Sequence, residues 1–169
     1  MRPSIRSILV PTDFSASSDK AIEYARTLAS GFGATVHLIH VLDPVSLQMP
    51  WETPIESAAR HERLYQEGRA KLAVVAATLD RPRLPVTCEV RSGTPAIEIA
   101  HAAVDYGADL IVMATHGRSG LPHLLLGSVA EHVIRHATCP VLAVRDEGAP
   151  GVPLNDYATV ERSVGARIA

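Results

Sequence analysis

Five short apolar runs alternate with segments of helical period over the first 145 residues, and this alternation constrains the fold more than any other feature of the chain. Strands are expected over 5–10, 34–41, 86–90, 109–114 and 140–144, the third nearest a sheet edge because it alternates with polar residues. Between them lie helices with apolar stripes at three- and four-residue spacing. The first starts at a cap among Ser15 to Ser18, buries Ile22, Ala25, Leu28 and Ala29, and is stopped by Gly31 and Gly33. The second, over 55–79, carries Ala58, Tyr65, Leu72, Val75 and Leu79. The third opens at Thr94-Pro95, buries Ile97, Ala100 and Val104, and ends at Gly107. The fourth runs from Ser128, read with Glu131 as a capping box, to His136. Strand and helix in strict alternation predict an α/β fold, with an open five-stranded parallel sheet covered by helices on both faces.

The remaining segments read as connections. Pro44, Pro50 and Pro54 make 43–54 an irregular excursion, and 115–126 a loop with one helical turn at 124–126. Gly148, Pro150, Gly151 and Pro153 end the pattern, so the chain divides into a domain over 1–145 and a tail over 146–169. At 169 residues there is length for one core, and with aromatics at 4% it must be built from Ala, Val, Leu and Ile. A net charge of -2 without a basic block argues against nucleic-acid or membrane-surface partners. No apolar run approaches the ~18 residues of a membrane span, and no secretory leader is evident. Cys88 and Cys139 lack CxxC spacing and read as two buried thiols in a reducing compartment. A cytoplasmic location is expected.

In an open parallel sheet, ligands bind beyond the carboxyl ends of the strands, where the order of connection reverses. The loops that meet there are Pro11-Thr12-Asp13 and the segment from Ala114 to Ser128. Gly117, Gly120 and Gly127 would let the backbone approach a bulky anion, and Ser128 opens a helix whose first N–H groups favour phosphate. The plain alternative is that the glycines shape turns and Ser128 caps its helix. Neither GxxxxGK[ST] nor a GxGxxG after the first strand is present, which disfavours a P-loop hydrolase and a dinucleotide-dependent dehydrogenase. His132 and His136 lie four apart without the HExxH order, so a solvated face is the better reading. His37 and His40 belong to opposite faces of their strand. Ser119 is not in GxSxG, which leaves nucleophilic catalysis without support.

The motifs Ile8-Leu9-Val10-Pro11-Thr12-Asp13-Phe14-Ser15, His40-Val41, Ser92-Gly93, Ala114-Thr115-His116-Gly117-Arg118, Gly127-Ser128-Val129 and Cys139-Pro140-Val141-Leu142-Ala143-Val144 together resemble the universal stress protein family. The resemblance spans about residues 4 to 145. It implies a Rossmann-like sheet of order 3-2-1-4-5, of the adenine nucleotide alpha hydrolase-like kind, and a homodimer joined through the fifth strand. It also implies ATP as ligand. By that likeness Pro11, Thr12 and Val41 border the base, with Val41 backbone atoms reading the adenine edge. Asp13 accepts from the ribose hydroxyls or helps to hold Mg²⁺. Met113, Ala114, His116, Gly117 and Arg118 run along the phosphates, and Gly127, Ser128 and Val129 present N–H groups to them.

Ala114 stands where the ATP-binding branch has the first glycine of Gly-x2-Gly-x9-Gly-Ser/Thr. A positive φ there would strain alanine, whereas an extended strand end would accept its methyl group. The implied role is a nucleotide-binding regulatory protein of the stress response, meeting an unnamed protein partner. The competing readings are a slow ATPase and an interaction protein that has lost its nucleotide.

Overall fold

The structure is a computed structural model that describes residues 4–44, 49, 51–79, 84–115 and 126–145. Its elements are β1 (Ser7–Pro11), α1 (Ala16–Phe32), β2 (Thr35–Leu42), α2 (Pro54–Leu79), β3 (Val86–Ser92), α3 (Pro95–Asp105), β4 (Leu110–Ala114), α4 (Ser128–His136) and β5 (Val141–Val144). The five strands are parallel and lie in the order β3-β2-β1-β4-β5. The tail over 146–169, positions 124 and 125 of the turn expected at 124–126, and part of the 43–54 excursion lie outside the described residues.

Each sheet face buries its own apolar set because successive side chains on a strand point to opposite sides. Ile8, Val10, Val36, Leu38 and Val112 pack with Ala21, Ile22, Ala25 and Ala29 of α1 and Leu72 and Leu79 of α2. Leu9, Ile39, Ile111 and Met113 pack with Ile99, Ala102 and Ala103 of α3 and Ala130 and Val133 of α4. Ser15 caps α1, its side chain accepting from the Ser18 N–H, and Gly33 ends the helix at φ +67, a left-handed conformation that glycine adopts freely.

Three expectations are corrected. The buried face of α3 is Ile99, Ala102 and Ala103, while Ile97 and Val104 are 52% and 60% exposed. This helix is apolar around much of its circumference, so periodicity alone does not choose the face. In α2 the early stripe residue Ala58 is exposed, and burial is carried by Gly68, Leu72 and Leu79. Neither thiol is buried: Cys88 is exposed on the edge strand β3, and Cys139 is half-buried before β5. β3 is tied down instead by Arg91, whose Nη2 donates to Asp105 Oδ2 at 2.8 Å, and by Glu89, which accepts from the Tyr106 hydroxyl at 2.8 Å.

Gly68 is a glycine in a helix interior, a choice that costs about 0.5–1 kcal/mol relative to alanine. Its reason is contact. A Cβ at this position would stand 3.2 Å from His40 Cδ2 and 3.3 Å from a Val90 methyl. The missing side chain lets α2 lie close against the sheet over His40.

Candidate functional site

The crevice lies where β1 and β4 part. Among the described residues their ladder comprises Ile8–Leu110 and Leu9–Ile111, whereas β1 pairs with β2 up to Pro11–Ile39 and β4 with β5 up to Ala114–Val144. The chain order reverses between these two strands, since β2 and β3 lie to one side of β1 and β4 and β5 to the other. Pro11, Thr12, Asp13, Val41, Met113 and Ala114 are thus brought together at the carboxyl edge.

Val41 gains its position from strand parity. The Thr35 N–H donates to Arg6 and the Ile39 carbonyl accepts from Thr12, so the odd residues of β2 turn their backbone groups toward β1. The even residues serve β3, as the Leu42 carbonyl does in accepting from the Gly93 N–H. Val41 continues the odd series beyond the last β1 pair, and its N–H and C=O are directed over the end of β1.

The loop after β1 is held by short-range hydrogen bonds. The Ser18 hydroxyl donates to the Ser15 carbonyl at 2.8 Å, so the contact of 3.0 Å between Thr12 Oγ1 and Ser18 Oγ is one in which Thr12 donates. Thr12 Oγ1 accepts in turn from the Phe14 N–H at 3.0 Å. Asp13 Oδ1 accepts from the Ser15 N–H at 3.0 Å and from its hydroxyl at 2.6 Å, the local turn that aspartate commonly makes before a helix. Phe14 has φ +62, the one positive φ at a non-glycine among the described residues. Such a conformation costs roughly 1–2 kcal/mol.

On the other side of the crevice, the Gly127 N–H donates to the Thr115 carbonyl at 2.7 Å and the Gly127 carbonyl accepts from Glu131. Gly127 is therefore the N-cap of α4, and its lack of a side chain leaves no cap hydrogen bond. The capping box expected of Ser128 and Glu131 is not formed. Ser128 is the first helical residue, and the extended backbone that a cap needs falls on Gly127 instead (φ -71, ψ 152). The N–H groups of Ser128, Val129 and Ala130 have no acceptor within the helix. Ser128 and Val129 are exposed, while Met113 is buried.

Ala114 is a residue of β4, paired with Val144, and its φ is not positive. Its methyl group lies half-buried against the α1–α2 face of the core. The strand conformation accepts alanine without strain. His116, Gly117 and Arg118, together with Gly120, lie outside the described residues.

The histidines separate as their strand positions require. His37 stacks on Tyr106 with centroids 4.2 Å apart and shares a 2.7 Å hydrogen bond with Thr87 Oγ1, and burial lowers its pKa. His40, on the opposite face, is buried and its Nδ1 stands 2.7 Å from the Thr12 carbonyl oxygen. His132 and His136 stack on the exposed face of α4 with centroids 5.6 Å apart. Sequence reasoning missed His40 and Phe14 as parts of the loop. The signal for His40 was a polar side chain on the inner face of a strand whose neighbours Leu38 and Leu42 are buried.

The profile of the Universal stress protein family matches residues 4–145. The universal stress protein MJ0531 of Methanocaldococcus jannaschii is 40% identical over 141 residues, covering 83% of this chain and 82% of that protein. Among solved structures, the protein MJ0577 shares 30% identity at a TM-score of 0.77, covering 86% of this chain and 99% of that one. A universal stress protein solved in complex with cAMP has the same fold, with a TM-score of 0.59 at 23% identity over 84% of this chain and 98% of that one. A match over residues 4–145, a sheet of the same architecture and a relative at this identity agree, and the chain belongs to the universal stress protein family.

Proposed function

We propose that the chain binds ATP in the crevice between β1 and β4 and acts as a regulatory protein of the stress response. The observation that carries this reading is the start of α4. Gly127 is fixed to the end of β4, so three N–H groups without helical acceptors stand at the mouth of the crevice with no capping side chain over them. Together with the positive end of the helix dipole, they make a site for phosphate. Val41 supports the assignment of the base, since its N–H and C=O are directed to where an adenine edge would be read. Thr12 and Asp13 lie between the two, where a sugar would sit. Ala114, being extended, does not oppose binding.

The likeness to the cAMP complex speaks to fold alone at that identity, and the ligand assignment rests on this chain's own crevice. Mg²⁺ fits the site as a companion of the phosphates, because it is commonly held by one or two carboxylates plus phosphate oxygens and Asp13 is the carboxylate at hand. Among the described residues no group of three or more metal-binding side chains is assembled. A ligand bridging the β1 and β4 loops changes the surface that a protein partner meets, which is how occupancy becomes a signal. The same reading includes a homodimer paired along β5, the edge strand, where backbone groups need a partner and Leu142 is 37% exposed.

Calorimetry with ATP, GTP and the Asp13→Asn variant tests the assignment. ATP should bind at least ten times more tightly than GTP, and Asp13→Asn should weaken ATP about tenfold. Absence of binding at millimolar ATP would refute the reading. Equal affinity for GTP would refute the role given to Val41.

A further inference from the structure

The nucleotide-side loop after β1 is supported from the α2 side by one buried histidine. His40 is 9% exposed and sits on the inner face of β2, in line with Leu38 and Leu42, where an apolar side chain would be the ordinary occupant. Its Nδ1 is 2.7 Å from the Thr12 carbonyl oxygen. A carbonyl oxygen only accepts, so Nδ1 carries the proton and the tautomer is fixed by this contact. The ring also meets Phe14, with centroids 4.5 Å apart and planes tilted by 42°. Lys71 of α2 places its ammonium 5.5 Å from the centroid of the same Phe14 ring. Gly68 makes room for the arrangement, because a Cβ there would stand 3.2 Å from His40 Cδ2, closer than a relaxed contact.

These contacts converge on two backbone features. The Thr12–Asp13 peptide is planar, so holding the Thr12 carbonyl toward His40 also sets the direction of the Asp13 N–H on the opposite side. Phe14, in its left-handed conformation, determines how the chain leaves Asp13, and such a residue persists only where its surroundings hold it. His40 touches both.

We propose that His40 is a positioning residue for the nucleotide site, fixing the Thr12–Asp13 turn through a hydrogen bond to Thr12 and a ring contact with Phe14, with Gly68 as the gap that admits it. The inference rests on the nucleotide reading given above. It assigns His40 no contact with ligand. What His40 supplies is a loop already arranged before ATP arrives, so its removal should be read in affinity more than in stability.

Three variants and one ligand separate the outcomes. Asparagine places an amide nitrogen where His40 has Nδ1 and keeps the donor, while phenylalanine keeps a ring and loses it. In calorimetry with ATP, His40→Phe should bind at least tenfold more weakly than wild type, and His40→Asn should recover to within about threefold. A loss that merely follows the melting temperature, with Asn no better than Phe, overturns the proposal. Wild-type affinity in His40→Phe overturns it as well. Should His40→Phe fail to fold, Gly68→Ala replaces no residue of the loop and leaves His40 in the sequence, yet crowds its ring. It should weaken ATP at least threefold, and unchanged affinity there overturns the proposal. If wild type itself binds no ATP, the nucleotide reading falls and this inference with it, a result distinct from binding that is indifferent to His40.

Discussion

The N–H of Gly127 donates to the carbonyl of Thr115 at 2.7 Å, so the N-cap of α4 is tied to the residue that follows β4. The phosphate site proposed for this chain therefore joins the start of a helix to the end of a strand. Its affinity should depend on small changes at Gly127 and Ser128 that hardly touch the core.

Ser128→Ala separates structure from binding. Ser128 is the first helical residue and not the cap, so its hydroxyl secures no helix N–H. The variant should keep its unfolding free energy within about 0.5 kcal/mol of wild type, as exposed substitutions usually do. A hydroxyl bonded to phosphate is worth about 1.5–3 kcal/mol, which is a loss of about 10- to 150-fold in ATP affinity. Denaturant melts and calorimetry on the same preparation check both numbers. Unchanged affinity would remove Ser128 from the site and leave only the backbone N–H groups.

His37 gives a pH dependence of known sign. Burial lowers its pKa in the folded state, so the unfolded chain binds the proton more readily near the ordinary value of about 6.5. The contribution of His37 is full above that value and is lost as pH falls through it toward the lower folded pKa. Wild type should therefore lose stability between about pH 7 and pH 5, and His37→Gln should lose less over the same interval. Equal slopes in urea melts at several pH values would show that His37 is not a source of the dependence.

The proposed dimer is tested at Leu142. Val141 packs against the α3–α4 face of the core, whereas Leu142 is absent from both core clusters and partly exposed. Leu142→Glu should thus leave the melting temperature of dilute protein nearly unchanged while shifting light scattering at micromolar concentration from dimer to monomer. A variant that remains dimeric, or a wild type that is monomeric throughout, would rule out pairing through β5.

Much of the fold was legible because its signals are periodic. Alternating strand and helix patterns predicted a parallel sheet, and the described residues form one, its strands and helices following in the expected sequence. The strand order came with the family resemblance. The face of α3 was not legible, since Ile97 and Val104 carry the same apolar period as Ile99 and Ala103 and only packing against α4 decides between them. The cap of α4 was misplaced by one residue because serine usually outcompetes glycine at that position, and here the bond from Gly127 to Thr115 takes precedence. His40, Phe14 and Gly68 could not be joined from sequence at all. They are separated by 26 to 54 positions along the chain and meet only through the close approach of α2 to β2.

Ala114 is the position at which the sequence left two conformations open, and Ala114→Gly tells them apart. If alanine strained a left-handed turn, glycine would relieve it, and the variant would be both more stable and tighter for ATP. The structure places Ala114 in an extended strand, paired with Val144 and with its methyl group against the core. Glycine there loses that contact and gains backbone freedom in the unfolded chain, a cost of about 0.5–1 kcal/mol. Ala114→Gly should accordingly melt at a lower temperature, and its affinity for ATP should stay within about threefold of wild type. A gain in stability accompanied by a tenfold gain in affinity would mean that the end of β4 takes up another conformation when nucleotide is bound.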